Sequence, residues 1–317
     1  MSARSPESDL WDALRGALVT RALAIVSDLG IPRALAGGPR PVADLARETG
    51  ADPDTLHRLL RALASDGIFA EEEPGAFRNT DVSEQLLRSG WAAFAHFFGG
   101  PWHRAAGALD ASGKASFPDR RGADFWSWLA AHPEERALFD VAMEQGKDQR
   151  VERLDRVEWH DGETVADLGG GNGSLLVQLL RRQPGLRGIV FDLPETVRDE
   201  EALSAERIEF VEGSFFDSVP EADVYLMSTI LHDWDDESAA AILRTIHSGA
   251  PPGARLVLLE AVVPEGNEPD GAKWLDLLML ALFAGRERND VQWRDLLEAG
   301  GFEPTSIEGG LIQAGCR

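Results

Sequence analysis

Apolar positions in the second half of the chain fall into short runs separated by longer segments of helical periodicity. The runs predicted to be strands are 164–168, 188–192, 208–212, 223–228 and 255–262. Two further runs, 303–308 and 310–316, are predicted to form an antiparallel final pair. Strands that alternate with helices are typical of parallel sheets, whose crossover helices cover both faces. The pattern therefore predicts an α/β fold with a doubly wound sheet.

The first 90 residues follow a different pattern, dominated by helical spacing of leucine and alanine. In chain order the predicted elements are helix 10–29, a short helix from 41, a helix capped by Asp52, and strands 67–69 and 76–79. The two strands surround the acidic tip Glu71–Glu73. Helices followed by such a strand pair are typical of a winged helix–turn–helix, which we predict as an N-terminal domain over 1–90.

Residues 91–155 are predicted to be helical and to link this domain to an α/β domain over 156–317. The segment is rich in aromatic side chains, most of which we expect in the core. Some should line a flat apolar pocket, because ligand pockets favour aromatic walls. The sequence does not separate the two sets. The candidates for the pocket are Trp126, Phe139, Met143, Trp274 and Met279.

The charge balance excludes several classes of partner. Among 317 residues, 31 Lys and Arg stand against 54 Asp and Glu, a net charge of −23. Such a chain repels nucleic acid and anionic membranes. Residues 51–75 carry six acids and only Arg58 and Arg61 as bases, so we interpret the winged helix as a dimerisation scaffold without nucleic-acid contact.

Cysteine content and apolar run lengths bound the chemistry and the location. The single cysteine, Cys316, excludes an intramolecular disulfide framework and argues against a cysteine-based metal site, so we expect no metal. The N-terminus has no apolar signal core, and no uncharged run approaches the roughly 20 residues of a membrane span. The expected location is the cytoplasm, with no membrane contact.

The first candidate ligand site is the turn after the predicted strand 164–168. Gly169, Gly171 and Gly173 allow a sharp bend and close approach of the backbone to a ligand. Asp167 would repel a pyrophosphate but suits S-adenosylmethionine, which carries a cationic sulfonium and an amino group. Asp192 lies 23 residues after Gly169, near the spacing at which an acid binds ribose hydroxyls. The alternatives are a turn that needs glycine for packing alone and an aspartate that only caps the next segment.

The second candidate site is His232, which follows the predicted strand 223–228. A histidine with an ordinary pKa near 6.5 acts as a base around neutral pH. Glu260, in the predicted strand 255–262, and Glu287 are placed to help, since a carboxylate on the second ring nitrogen fixes the tautomer. The alternatives are a structural histidine and a solvated Glu287.

Five motifs share one order and spacing with a known family. They are Asp167–Gly173, Phe191–Pro194, Glu212–Phe216, Leu231–Glu237 and Gly285–Arg288. Over almost the whole chain the sequence resembles the S-adenosylmethionine-dependent O-methyltransferases that include the plant caffeic-acid and hydroxyindole enzymes and bacterial polyketide-tailoring enzymes. The resemblance implies a Rossmann-like methyltransferase sheet with an N-terminal α-helical winged-helix dimerisation domain, and a homodimer.

The resemblance also implies roles for individual residues. His232 would be the general base that deprotonates an acceptor hydroxyl, Glu260 and Glu287 would flank it, and Asp233 would help to position the loop. The residues expected at the methyl donor are Asp167, Gly169, Gly171, Asp192, Leu193, Ser214, Phe215 and Ser228.

Three positions depart from the family pattern. Many relatives carry Asp in place of Ser214, and plant relatives carry Lys in place of Ser228 and Thr in place of Asn289. These departures concern donor binding more than the type of reaction. We interpret the chain as a metal-independent O-methyltransferase acting on a hydroxylated aromatic secondary metabolite. The competing interpretations are a winged-helix ligand sensor and a family member that decarboxylates or hydroxylates its substrate.

Overall fold

The computed structural model describes residues 5–118, 122–194, 196 and 207–316. The chain forms two compact units, each with its own core. The first comprises Met1–Gly107 and Val141–Gln145, and the second comprises Ala108–Asp140 and Gly146–Arg317.

The first unit contains six α-helices in the described part of the chain and a small three-stranded sheet. The helices are α1 (Pro6–Asp28), α2 (Ile31–Ala34), α3 (Val42–Thr49), α4 (Pro53–Ser65), α5 (Ser89–Gly99) and α6 (Pro101–Ala106). The strands are β1 (Arg40–Pro41), β2 (Phe69–Glu73) and β3 (Ala76–Asn79), antiparallel in the order β1-β3-β2. Asp52 caps α4 by accepting a hydrogen bond from the Thr55 amide at 2.8 Å.

This arrangement confirms the winged helix, with one correction. Strand β2 includes the acidic segment Glu71–Glu73, which the sequence pattern places at the tip between the two strands. The strand begins at buried Phe69, whose ring joins a core with Phe77 of β3. The acids are exposed on the outer part of the strand, and Gly75 in the turn has φ +78°, a conformation that favours glycine.

Helix α1 begins earlier than predicted because Ser5 caps it, its hydroxyl accepting from the Ser8 amide at 3.2 Å. The C-terminal half buries Ala22, Ala24 and Val26. The N-terminal half instead exposes four large apolar side chains, between 62% and 75% accessible: Leu10, Trp11, Leu14 and Leu18.

The second unit is built around a seven-stranded sheet in the order β6-β5-β4-β7-β8-β10-β9. Its strands are β4 (Thr164–Leu168), β5 (Arg187–Asp192), β6 (Ile208–Glu212), β7 (Val224–Ser228), β8 (Arg255–Leu259), β9 (Phe302–Glu308) and β10 (Leu311–Cys316). Strands β4 to β8 are parallel, and β10 runs antiparallel to both β8 and β9. The doubly wound fold and its antiparallel final pair are confirmed.

The remaining α-helices of the described residues lie between these strands or before them. They are α7 (Phe125–Ala130), α8 (Pro133–Met143), α9 (Lys147–Leu154), α10 (Ser174–Arg182), α11 (Asp236–Gly249), α12 (Ala272–Phe283) and α13 (Asp290–Ala299). The unit boundary falls within α8.

Apolar cores on both faces of the sheet explain the continuous apolar runs in the sequence. Along β7, Val224 and Leu226 join one core, whereas Tyr225 and Met227 join the other. The predicted strand 255–262 is too long: β8 ends at Leu259, so Glu260 lies just beyond the sheet. No helix in the described ranges is long and apolar enough to span a membrane.

Candidate active site

Most of the predicted site residues meet at one edge of the sheet, where the parallel strands end. Strand β4 leads to Gly169, β5 ends at Asp192, β6 leads to Ser214, β7 leads to His232, and β8 leads to Glu260. Open α/β sheets bind ligands at this edge, where the strand order reverses, which here is between β4 and β7.

The glycine turn combines packing with an open surface. Gly169, Gly171 and Gly173 have φ of +73°, +59° and +72°, in the left-handed region that favours glycine. A Cβ on Gly169 would lie 2.6 Å from Ile230 Cδ1, so this glycine is required for packing. A Cβ on Gly171 would meet nothing within 4 Å. We call residues 167–173 together with Asp192 the donor corner.

Asp167 lies beneath this turn and is 2% exposed. Its Oδ2 is buried and has no hydrogen-bond partner among the described residues. Burial and the charge of Asp192 raise the pKa of Asp167 to about 7, with Arg150 opposing. A buried carboxylate without a partner is destabilising, and a cationic ligand would stabilise its charged form. The donor corner therefore fits the sulfonium and ammonium groups of S-adenosylmethionine.

Asp192 holds the glycine turn from the end of β5. Its Oδ2 accepts from the Gly171 amide at 2.8 Å, and its Oδ1 accepts from the Leu193 amide and the Thr196 hydroxyl, both at 2.7 Å. A carboxylate has about four acceptor positions, so capacity for a ribose hydroxyl remains. Both functions foreseen for an acid here, capping and ligand binding, are compatible in one side chain.

The three departures from the family pattern have different surroundings. The Ser214 hydroxyl accepts from the Phe216 amide at 3.2 Å, and Phe215 packs edge-on against Trp234 with 6.3 Å between ring centroids. Ser228 is the last residue of β7. Asn289 caps α13 in a reciprocal pair with Gln292. Since Thr is also a good cap, Asn289 preserves a structural function.

His232 lies in a single turn of 3₁₀ helix, Leu231–Asp233, that follows β7 through Thr229. Thr229 has φ +54°, an uncommon conformation for a β-branched residue and one that clusters at functional sites. The His232 Nδ1 is 2.6 Å from Glu287 Oε1, and its Nε2 is 3.4 Å from Asp233 Oδ1. Both His232 and Glu287 are buried, so Glu287 is not a solvated surface residue. We call residues 230–234 the histidine turn.

Glu260 contacts the backbone of this turn rather than the imidazole ring. Its Oε1 accepts from the amides of Ile230 and Leu231, at 2.9 and 2.8 Å. Burial raises the pKa of Glu260. The roles predicted for Glu260 and Glu287 beside His232 stay predictions, and their contacts differ: only Glu287 bonds to the ring, because Glu260 lies beyond the end of β8, level with the amides.

The carboxylates around His232 control its protonation. Burial alone lowers the pKa of an imidazole, but the charges of Asp233, Glu260 and Glu287 outweigh burial and raise the pKa of His232 to about 10. Burial raises the pKa of Asp233 to about 7, against the attraction of His232. The unliganded site therefore holds an imidazolium at neutral pH, and its pKa is well above the ordinary value assumed from the sequence.

Arg288, the last residue of the motif Gly285–Arg288, lies against the histidine turn, although the sequence predicts no role for it. It is fully buried, and its guanidinium donates to the carbonyls of Leu231 and Trp234 at 2.9 and 2.8 Å. Its Nε donates to Asp236 at 2.9 Å. Its position beside Glu287 in a motif is the signal that the sequence offers for Arg288. Its burial is not expected from the sequence, because buried arginines are rare.

Only some of the side chains predicted to line an apolar pocket contact one another. In the second unit, Trp126 is half-buried and stacks on Phe283, with ring centroids 5.5 Å apart, and Phe139 meets Trp126 edge-on at 5.6 Å. Met279 is buried on α12, whereas Trp274 on the same helix is 76% exposed. Met143 belongs to the first unit.

The fold and this edge of the sheet define a Rossmann-like methyltransferase with a separate helical unit. The chain belongs to the O-methyltransferase family: residues 102–303 match its O-methyltransferase domain, and residues 11–89 match its dimerisation domain. It is an S-adenosylmethionine-dependent O-methyltransferase of the secondary-metabolite type, with S-adenosylhomocysteine as the second product.

Three known proteins illustrate the similarity. The phenazine O-methyltransferase PhzM of Lysobacter antibioticus is 38% identical over 310 residues, covering 93% of this chain and 90% of the relative. The mitomycin biosynthesis 6-O-methyltransferase of Streptomyces lavendulae is 36% identical, with coverage of 93% and 89%. The crystal structure of an O-methyltransferase from neocarzinostatin biosynthesis, in complex with S-adenosyl-L-homocysteine and 1,4-dihydroxy-2-naphthoic acid, has a TM-score of 0.82 and 29% identity, with coverage of 94% and 96%.

Proposed function

We propose that this enzyme methylates a hydroxyl group on an aromatic secondary metabolite and that His232 is the general base. The 2.6 Å contact between His232 Nδ1 and Glu287 Oε1 carries the proposal. A carboxylate on Nδ1 fixes the ring and leaves Nε2 to exchange a proton with the acceptor. The turn that presents His232 follows β7, the strand next to β4 and its donor corner.

The donor corner would hold S-adenosylmethionine. Asp167 and the glycine turn face its cationic part, Asp192 takes the ribose hydroxyls, and Leu193, Ser214, Phe215 and Ser228 surround the remainder. When bound, S-adenosylmethionine supplies a methyl group on a positively charged sulfur. The side chains around it align the acceptor and exclude water, and alignment accounts for much of the rate of a displacement.

The raised pKa of His232 matches it to a phenol. A free phenol has a pKa near 10, and the pKa of His232 is about 10, so the proton has nearly equal affinity for the two groups. An imidazolium beside an ionised acceptor contains the same number of protons as a neutral imidazole beside a hydroxyl. From that protonation state the acceptor reaches its reactive, ionised form with little cost in free energy. At neutral pH, where His232 is an imidazolium, one proton must first leave the site, so the rate should rise with pH.

Asp233 would act on the same proton. Its carboxylate is 3.4 Å from Nε2, the ring nitrogen that faces away from Glu287. In the free enzyme it stabilises the imidazolium, and an arriving acceptor oxygen replaces it as the partner of Nε2. This role adds to the positioning of the loop.

Stacked aromatic side chains in the second unit support a planar, aromatic acceptor. The stack of Trp126 on Phe283, with Phe139 at its edge, is typical of sites for planar rings. We assign Trp274 and Met279, which lie on one helix of that unit, to the acceptor side as well, whereas the role of Met143, in the first unit, stays a prediction. Relatives of this chain are named for the O-methylation of phenazine, for mitomycin biosynthesis and, in Streptomyces cremeus, for the 4-O-methylation of 3-amino-4-hydroxybenzoate, which supports an aromatic acceptor here.

The proposal is tested by incubating the enzyme and S-adenosylmethionine with hydroxyphenazines, dihydroxynaphthoic acids and aminohydroxybenzoates. The expected product has one additional methyl group on oxygen, as found by mass spectrometry and proton NMR. Products that have lost carbon dioxide or gained oxygen would contradict it. A gel shift with DNA at low salt would instead favour the ligand sensor.

We further propose a cytoplasmic homodimer that covers the exposed face of α1. Leu10, Trp11, Leu14 and Leu18 form an apolar strip that is unfavourable in water. Leu14→Lys with Leu18→Lys should weaken dimerisation by at least about 100-fold, since two buried leucines contribute roughly 1.5–3 kcal/mol each. Light scattering measures this, with Val82→Lys, an exposed apolar position in the same unit, as the control. An unchanged mass in the double variant would contradict the proposed interface.

A further inference from the structure

Two buried charged side chains hold the backbone of the histidine turn, one by accepting from its amides and the other by donating to its carbonyls. Glu260 accepts from the amides of Ile230 and Leu231, and Arg288 donates to the carbonyls of Leu231 and Trp234. A single turn of 3₁₀ helix satisfies few of its own backbone groups. Four of these groups are therefore bonded to side chains of distant segments, which fixes the path of the turn.

Each residue of the short segment 285–288, which carries Arg288, lies against the histidine turn. The Arg286 amide donates to the His232 carbonyl at 2.9 Å, and the next residue, Glu287, holds the imidazole. Gly285 lies so close that a Cβ would clash with the His232 carbonyl oxygen and lie 2.6 Å from the Asp233 carbonyl carbon. We call residues 285–288 the clamp segment. Backbone and ring of His232 are thus held by one short stretch of chain.

The bonds of Arg288 are directed at this turn. Besides the two carbonyls, its Nε donates to Asp236, at the start of α11 directly after the turn, and its guanidinium lies over the Trp293 ring at 5.2 Å. Asp236 also accepts from Arg286 at 2.7 Å, so one acid links both arginines of the clamp segment. A buried guanidinium is costly, and its main partners here are the groups that flank His232.

From these contacts we infer that Arg288 is a positioning residue for methyl transfer, acting through the location of the His232 imidazole. The inference rests on the proposed role of His232. The bond between Glu287 and Nδ1 of His232 requires that the histidine turn and the clamp segment keep their relative position. A displacement of about 1 Å in a catalytic group can reduce the rate roughly 100-fold. Loss of the guanidinium bonds of Arg288 would allow such a displacement of His232, although Arg288 itself contacts the turn and not a substrate.

The first test compares Arg288→Lys with Arg294→Lys. A lysine keeps the positive charge but presents its donors at one point, so it does not span Leu231, Trp234 and Asp236 together. The expected result is a 10- to 100-fold lower kcat, about the scale of a misplaced catalytic group. Affinity for S-adenosylhomocysteine, measured by calorimetry, should change less than about twofold. Arg294 is half-exposed and pairs with Asp290 on its own helix, so Arg294→Lys should behave as wild type.

The decisive readout is the coupling between Arg288 and His232. In a His232→Ala background, Arg288→Lys should reduce kcat by less than about twofold, because the group it positions is gone. An equal loss in both backgrounds would mean that Arg288 only stabilises the fold and would overturn the inference. So would full activity of Arg288→Lys. If His232→Ala itself retains wild-type turnover, the proposed function fails instead.

A measurement without turnover separates the two failures further. In protein labelled with ¹⁵N-histidine, the bonded Nδ1 proton of His232 should give a far-downfield NMR signal. Arg288→Lys should shift or remove this signal and leave the carbon-bound ring proton signals of exposed His160 in place. An unchanged His232 signal would overturn the inference whatever the kinetics show.

Gly285→Ala provides an independent variant that keeps Arg288, in case Arg288→Lys does not fold. Its added Cβ presses on the His232 and Asp233 carbonyls and should give the same lower kcat, the same coupling and the same NMR change. Gly271→Ala is the matched control, because a Cβ there meets nothing within 4 Å and its φ of −66° suits alanine. Wild-type behaviour of a folded Gly285→Ala would contradict the positioning account.

Discussion

The donor corner and the histidine turn lie at the same edge of one sheet but differ in how their backbone is held. Both have buried carboxylate oxygens without a partner among the described residues, Asp167 Oδ2 at the first and Glu260 Oε2 and Glu287 Oε2 at the second, but the donor corner also has a turn that faces open space at Gly171. The histidine turn has its backbone bonded by Glu260, Arg286 and Arg288, and its imidazole bonded by Glu287. One region is prepared to receive a ligand, and the other is prepared to hold a side chain still.

This difference separates binding from chemistry. A residue of the donor corner should change affinity for S-adenosylmethionine and leave proton transfer intact. A residue that holds the histidine turn should change turnover and leave donor affinity intact. Each of the following predictions breaks or sharpens that separation, from the largest expected effect to the smallest.

The largest effect is expected from His232→Ala. Loss of a positioned general base should reduce kcat by roughly 10²- to 10⁴-fold. Calorimetry should show nearly unchanged affinity for S-adenosylhomocysteine, because the imidazole belongs to the histidine turn. His160→Ala, an exposed histidine outside the site, is the control. A comparable loss of donor affinity in His232→Ala would show that the two regions are not separable.

The complementary variant is Asp192→Ala. It should weaken binding of S-adenosylmethionine by about 10- to 100-fold, because charge-assisted bonds contribute roughly 1.5–3 kcal/mol each and water replaces part of this. The loss includes the support that Asp192 gives to the Gly171 amide. Asp223→Ala is the matched control, since Asp223 also accepts from a backbone amide, that of Thr164, but at the other edge of the sheet. Equal weakening in both variants would contradict a donor site at Asp192.

Glu287→Gln tests the electrostatics of the histidine turn. Glu287 raises the pKa of His232, so its neutral replacement should lower that pKa. In wild type, kcat/KM should continue to rise above pH 8, because His232 is still an imidazolium there. In Glu287→Gln the rising limb should move to lower pH. A limb that levels near pH 7 in wild type would contradict the raised pKa.

The smallest effect concerns the proton on Asp167. Its pKa is raised to about 7 by burial, so ionisation destabilises the folded state progressively from about pH 4 to pH 7 and fully above that. A cationic ligand lowers this pKa, and binding of S-adenosylmethionine at pH 7 should release about half a proton. Calorimetry in two buffers of different ionisation enthalpy measures the release.

Asp167→Asn is the control for that measurement. The variant should release about half a proton less than wild type, and its melting temperature without ligand should exceed that of wild type by a few degrees at pH 8. This advantage should shrink towards pH 5. Equal proton release by the two proteins would show that Asp167 is not the group that responds to the donor.

The donor corner could be predicted from the sequence more fully than the histidine turn, for a physical reason. Glycines, a preceding acid and a strand lie within one short segment, so local pattern indicates their geometry. The histidine turn depends on contacts between residues about 30 to 57 positions apart, such as Arg288 with Leu231. A sequence shows Arg288 as a charged residue expected at the surface, and only the fold shows its burial.

The errors in strand boundaries have the same origin. The apolar run 255–262 continues past the sheet, so periodicity alone places Glu260 within a strand. The end of β8 is set by its neighbours: β7 pairs with it up to Leu259, and the side chain of the next residue, Glu260, accepts from the amides of Ile230 and Leu231. Register with a partner strand is a tertiary property that the pattern of one segment does not contain.

The measurement that tests the central claim most directly is the cost of His232→Ala across acceptors of different acidity. Turnover of wild type and His232→Ala is compared on ring-substituted derivatives of the first hydroxyl acceptor found to be methylated. If His232 removes the acceptor proton, the ratio of wild-type to variant kcat should fall steadily as the pKa of the acceptor hydroxyl falls, because an acidic phenol ionises without help. A ratio that stays constant across the series, with a lower melting temperature of the variant, would contradict the account and make His232 a structural residue.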